Sequence, residues 1–173
     1  MATKKLFVLR HAKSSWDDPG LDDHERPLAP RGRRAAAVIA EYLRTHAIEP
    51  ELVLCSSSRR TQETLEQVKP GGEWLIESEL YAASTSGVIE RLHRVPEETG
   101  SVMLIGHNPV MQTLVLRLAS GSGATEGSEL SEVQRKFPTA ALATLTFECG
   151  WSELGQGAAS LAAFVRPKQL SLS

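Results

Sequence analysis

Leu6-Phe7-Val8-Leu9-Arg10-His11-Ala12 is the stretch that decides the fold. Four consecutive apolar residues, aromatic and β-branched ones among them, suit a strand buried on both faces, the habit of a parallel sheet. The run stops at a cation and an imidazole, so a strand end and candidate chemistry coincide. The same grammar recurs further on. Leu52–Cys55 is a second short apolar run, followed by Ser56-Ser57-Ser58-Arg59-Arg60, and Val102–Ile105 is a strong one, followed by Gly106-His107-Asn108-Pro109. Trp74–Ile76 is a weaker strand between them.

Helical spacing fills the intervals. Ala36, Ile39, Ala40 and Leu43 form one stripe on a helix starting near Arg31. Leu65 and Val68 mark a second helix, with serines before it as N-cap candidates. Val88, Leu92 and Val95 mark a third, ended by Pro96. Val110, Leu114, Val115 and Leu118 mark a fourth, with Pro109 suited to its first turn. Strands alternating with helices imply right-handed crossovers and an α/β fold, a mostly parallel central sheet flanked by helices in three layers. Leu142–Phe147 reads as a further strand and Ser160–Val165 as a last, edge strand. Lys13 to Pro30, with four prolines and glycines, reads as a long loop, and Ser120–Ser131, rich in Gly, Ser and Glu, as another.

The totals bound the function classes. A chain of 173 residues is expected to form a single domain over residues 1–173. The net charge is −2, which gives no long-range attraction for nucleic acid or an anionic membrane. Arg31, Arg33 and Arg34 form the densest basic group, read as a solvated helix face. Cys55 and Cys149 are far apart and outside any CxxC spacing, which argues against a disulfide framework or a zinc site. No apolar stretch approaches a membrane span and no signal-peptide pattern is present, so a cytoplasmic protein is expected. No metal cluster and no nucleotide motif is visible, and no cofactor is expected.

Ligands of open parallel sheets bind outside the carboxyl ends of the strands. Arg10-His11, Ser56 to Arg60 and Gly106-His107-Asn108 should therefore converge at one rim. Two arginines and two histidines there suit a phosphoryl group: guanidinium matches its oxygens, and a neutral imidazole nitrogen can attack phosphorus.

At these residues the sequence resembles a known family. LRHAKSS resembles the Arg-His-Gly signature of the histidine phosphatase superfamily, with Ala12 at the third position. SSSRRTQET resembles its Ser-x-x-x-Arg-Ala-x-x-Thr motif, placing the second arginine at Arg60 and the threonine at Thr64. LIGHNP resembles the motif of the second histidine, His107. ERPLAPRG and KFPTAALATLTF look like the SixA-like phosphohistidine phosphatase branch. The resemblance runs from about Leu6 to Phe147 and implies a phosphoglycerate mutase-like fold. It also implies that His11 is the nucleophile, with a main-chain carbonyl fixing its tautomer. Arg10, Arg60 and His107 would surround the phosphoryl oxygens, His107 in its protonated form. Ser14, Arg26 and Asn108 are further candidates for phosphate or substrate contacts.

One departure from the larger family carries a chemical reading. Ala82 and Asn108 stand where a carboxylate general acid would be expected. Glu79, Asp17, Asp18, Asp22 and Asp23 remain as proton donors, with no way to choose among them. An alkoxide leaving group needs a proton from the enzyme, whereas phosphohistidine whose far ring nitrogen is already protonated leaves as neutral imidazole. The expected substrate is thus a phosphorylated histidine protein. A small phosphate ester is the alternative, and a non-catalytic phosphate-binding module a third. His24, His46 and His93 read as structural or solvated, Trp74 and Trp151 as packing, and Trp16 as either packing or a substrate contact. The oligomeric state is not legible.

Overall fold

The computed structural model describes residues 2–122 and 128–170. Six strands form one sheet in the order β3-β2-β4-β1-β5-β6. These are β1 (Lys4–Arg10), β2 (Leu52–Ser56), β3 (Glu73–Glu77), β4 (Ser101–Gly106), β5 (Leu142–Phe147) and β6 (Ser160–Val165). β1 to β4 run parallel, and β5 is antiparallel to β1 and to the edge strand β6. The register sets Arg10 beside Gly106, so the residues that follow both strands emerge together.

The apolar run of β1 is continuous because each of its faces meets a different layer. Leu6 and Val8 pack with Leu54, Leu104, Leu92, Leu114 and Phe137. Phe7 and Leu9 pack on the opposite face with Val53, Ile105, Ile39, Leu43 and Leu65. Two cores on one sheet make the three-layer sandwich. Each fully buried Leu or Ile among them contributes about 1.5–3 kcal/mol.

The helices are α1 (Pro30–Thr45), α2 (Arg59–Val68), α3 (Thr85–His93), α4 (Val110–Leu118), α5 (Glu129–Arg135) and α6 (Pro167–Leu170). α1 starts with Pro30, whose fixed φ suits the first turn, and buries Ala36, Ile39 and Leu43. Gly32 of α1 lies so close to the loop after β1 that a Cβ would stand 2.1 Å from the Lys13 carbonyl oxygen. α2 is capped by Ser58, which accepts from the Thr61 N–H. α3 ends at His93, before the buried Val95.

One expectation needs correction, and one helix was not foreseen. Residues 123–127 of the supposed loop from Ser120 to Ser131 lie outside the described residues, and Glu129 onward is helical because Ser128 caps the Ser131 N–H and Leu130 and Val133 bury. α6 had no counterpart in the sequence reading. The long loop over 13–29 also holds a 3-10 turn, Asp23–Glu25, and a bridge between Ser14 and Leu28.

Candidate active site

The site grows out of backbone bonds at the parallel strand ends. The His11 N–H donates to the Gly106 carbonyl at 3.0 Å, and the Ala140 N–H donates to the carbonyls of Arg10 and His11, each at 3.0 Å. Ala140 makes these two bonds from a left-handed backbone, φ 62°. The Ala12 N–H donates to Thr64 Oγ1 at 3.0 Å, and that hydroxyl donates to the Arg60 carbonyl at 2.7 Å. Thr64 therefore ties the segment after β1 to the first turn of α2, where Arg60 stands.

His11 is 8% exposed. Its Nδ1 lies 2.7 Å from the Ala12 carbonyl. A carbonyl only accepts, so Nδ1 carries the ring proton and Nε2 keeps its lone pair. Burial lowers the His11 pKa to about 3; the Ala12 carbonyl opposes this, and His107, Arg60 and Arg10 reinforce it. The ring is neutral at neutral pH, the form a nucleophile needs.

The His107 ring stands 5.4 Å from that of His11, centroid to centroid. Its Nε2 is 2.7 Å from Ser56 Oγ, and its Nδ1 is 3.5 Å from Arg60 Nη2. Arg60 only donates, so Nδ1 accepts and Nε2–H points to Ser56. Burial lowers the His107 pKa to about 4; Arg60, Arg10 and His24 push the same way, and Asp23 opposes them. With only the protein's own charges around it, His107 is neutral. A phosphoryl dianion beside it supplies the opposite charge that favours the imidazolium.

Arg10 donates from Nη1 to the Phe137 carbonyl at 3.0 Å, and its Nε is buried without a hydrogen-bond partner. Burial, and then Arg60, lower its pKa. Arg60 is gripped by Asp23: Nη1 donates to the Asp23 carbonyl at 2.7 Å and Nη2 to Asp23 Oδ2 at 3.0 Å. Tyr81 donates to the same Oδ2 at 2.5 Å, and Arg26 Nη1 donates to Oδ1 at 3.0 Å. The Tyr81 hydroxyl first, then Arg60 and Arg26, hold the Asp23 carboxyl well below the usual carboxylate range.

Structure thus brings together His11, Arg10, Arg60 and His107, and gives the other three candidates hydrogen-bond partners in the loop after β1 and in the segment before β5. Arg26 bonds Ser14 Oγ, the Ser15 carbonyl and Asp23, and lies 3.3 Å over the Trp16 ring, so Arg26 and Ser14 brace the loop. Asn108 donates to the Phe137 carbonyl at 3.0 Å and accepts from the Gln112 N–H at 3.2 Å, which engages both ends of its amide. Among the proton-donor candidates, Asp23 is held ionised, Glu79 pairs with Arg94 at 2.8 Å, and Asp18 accepts from the Gly20 N–H. Glu63 pairs with Arg59 and Arg33 rather than with Arg60.

Sequence reasoning missed Tyr81, and His24, read as structural or solvated, lies beside it. His24 Nε2 is 2.9 Å from Ser57 Oγ and its ring stands 4.6 Å from that of Tyr81, which itself stands 5.6 Å from that of His107. Four rings therefore run from His11 out to a cavity of ≈ 320 Å³ lined by His24, Ser57, Arg59 and Gln62. Tyr81 follows the end of β3 and its short turn, so the strand-end rule could have found it; nothing marks His24 apart from its neighbours. Among the described residues no group of three or more His, Cys, Asp or Glu side chains is placed to hold a metal.

A family model of the histidine phosphatase superfamily (branch 1) matches residues 6–81. An uncharacterized Mycobacterium tuberculosis protein is 36% identical over 160 residues, 92% of this chain and all of that one. This chain belongs to the histidine phosphatase superfamily. Its fold matches that of a SixA-type chain from Nakamurella multipartitia at TM-score 0.86 and 27% identity, covering 96% of this chain and 98% of that one. A protein histidine phosphatase SixA complexed with tungstate matches at TM-score 0.77 and 25% identity, covering 96% and 99%. The sheet of this histidine phosphatase is accordingly the phosphoglycerate mutase-like one, and the chain is a phosphatase. No helix of the described residues is long and apolar enough to cross a membrane.

Proposed function

We propose that this histidine phosphatase hydrolyses phosphohistidine on a protein, through a covalent intermediate on His11. The observation that carries the proposal is the Nδ1 contact of His11 with the Ala12 carbonyl, which leaves Nε2 as an unprotonated nucleophile among Arg10, Arg60 and His107. In the first step the P–Nε2 bond forms and the bond to the leaving nitrogen breaks; the electron pair goes to that nitrogen, and because the far nitrogen of the substrate ring already carries a proton, a neutral imidazole leaves. In the second, water attacks phosphorus, the P–Nε2 bond breaks, and the pair returns to Nε2. The arginines stabilise the charge on the equatorial oxygens, and His107 joins them as it takes up a proton beside the anion.

The preference for a P–N bond rests on the carboxylates. Asp23 is held as an anion by Tyr81, Arg60 and Arg26, and Glu79 is occupied by Arg94 and Arg91. A substrate whose leaving group needs no proton suits such a site. The SixA structure complexed with tungstate, a phosphate-like oxyanion, supports a phosphoryl pocket on this fold. The protein is proposed to work in the cytoplasm, with its cysteines reduced: Cys55 and Cys149 are both free.

Rapid mixing with labelled phosphohistidine peptide, an aryl phosphate and a sugar phosphate tests the reading. Label trapped on wild type and absent from His11→Ala, with faster turnover of the peptide, is the expected result. Turnover of the esters alone would move the function to a small-ester phosphatase, and no label from any donor would leave a binding module.

A further inference from the structure

Arg60 is a buried cation, its side chain 9% exposed, and both of its terminal nitrogens are held by one residue of the loop after β1. Asp23 presents its carbonyl to Nη1 and Oδ2 to Nη2, the two-point geometry a phosphate would use on the same guanidinium edge. Among the described residues Asp23 is the one carboxylate in ion-pair contact with His11, Arg10, Arg60 or His107. Its own side chain is 51% exposed, so water can reach the contact that Arg60 gives up. Tyr81 and Arg26 meanwhile give it other partners on the spot.

We propose that Asp23 is a built-in counter-ion that competes with phosphate for Arg60 and so sets how tightly the product is held. The inference rests on the phosphoryl site described above. A pocket with two arginines strong enough to stabilise the charge of a transferring phosphoryl group also binds inorganic phosphate, and the release of that product then limits turnover. A carboxylate on Arg60 opposes the anion: the phosphate must either share the guanidinium with Asp23 or displace it. When phosphate leaves, Asp23 is in place to pair with the buried cation, which would otherwise be left without a counter-charge.

A residue that merely props Arg60 and a counter-ion that competes for it give opposite signs when the charge is removed. Asp23→Asn keeps an oxygen able to accept from Arg60 and Tyr81 and loses the charge. Titration calorimetry of the full chain with inorganic phosphate, and separately with tungstate, reads the difference. The expected result is roughly tenfold tighter binding of both oxyanions by Asp23→Asn, the scale for loss of one half-exposed like charge about 6 Å away. Steady-state kcat should fall while the single-turnover rate of His11 phosphorylation holds. Asp23→Ser, checked by its melting curve, is the second variant should the first fold poorly, and it should bind tighter as well. Unchanged or weaker binding in a folded variant would overturn the inference while leaving the phosphoryl site standing. Failure of the wild type to bind either oxyanion would overturn the site reading and the inference with it.

Discussion

Acid should unfold this phosphatase through its own active-site histidines. His11 and His107 have pKa values of about 3 and about 4 in the fold, against 6.5 for a free imidazole. The sign follows from which state takes the proton first. Between those values the unfolded chain binds two protons that the native site refuses, so stability falls as pH drops through 6.5 and levels off only near the folded values. From pH 7 to pH 5 each ring costs about 2 kcal/mol, or about 4 kcal/mol for the pair. That is a large part of a typical domain's stability. Asp23 does not enter this window, because its depressed pKa contributes stability that is lost only as pH falls below the ordinary carboxylate range. Urea melts at pH 7, 6 and 5, in buffers free of phosphate and other oxyanions, measure the slope. His11→Gln should remove about half of it, and His11→Gln with His107→Gln nearly all. A double variant as pH-sensitive as wild type would refute the reasoning, since the titrating groups would then lie elsewhere.

Other perturbations have outcomes just as definite. Thr64→Val keeps the shape but leaves the buried Ala12 N–H without its acceptor, so stability should fall by about 1–3 kcal/mol. Activity should fall with it, and a Thr64→Ser variant should recover both. Ser56→Ala removes the oxygen that receives His107 Nε2–H; kcat should drop about 10- to 100-fold with little change in KM, as stopped-flow and steady-state rates will read. Gly32→Ala would force a methyl to within 2.1 Å of the Lys13 carbonyl oxygen, so calorimetry should show a melting point lower by several degrees, and a variant as stable as wild type would mean the loop moves freely.

The parallel sheet was legible because burial on both faces erases alternation, and β1, β2 and β4 all carry that unbroken apolar signature. The four central residues were legible for a related reason: parallel strands bring their carboxyl ends to one rim, whatever the distance in sequence. What surrounds them was not. Asp23 sits among Asp17, Asp18 and Asp22 in a loop with no periodicity, and its partners Arg60 and Tyr81 lie 37 and 58 residues on. Only the folding of the loop back over α2 selects it from its neighbours. α5 was hidden by its composition, since Gly, Ser and Glu read as a loop until Leu130 and Val133 have a core to enter. Ser14, Arg26 and Asn108 were legible as polar residues beside the catalytic motifs, but their bonds to the loop and to the Phe137 carbonyl were not, because those partners lie elsewhere in the sequence.

The segment just before β5 shows how such holding works, and why the site needs more chain than the motifs themselves. The Phe137 carbonyl accepts from both Arg10 and Asn108, so one oxygen braces the end of β1 and the segment after β4 together. Three residues on, the Ala140 N–H reaches the carbonyls of Arg10 and His11, and the Ala141 carbonyl takes the Arg10 N–H. The left-handed turn at Ala140 costs about 1–2 kcal/mol for a residue with a Cβ, yet it is what aims one N–H at two carbonyls. Residues 137–141 lie outside the span of the family model, 6–81, but they make the direct backbone contacts that fix Arg10 and His11. Two arginines brought together around a buried imidazole are an unfavourable arrangement to hold. The bonds from this segment and from Thr64 offset that cost and keep His11 ready to attack phosphorus.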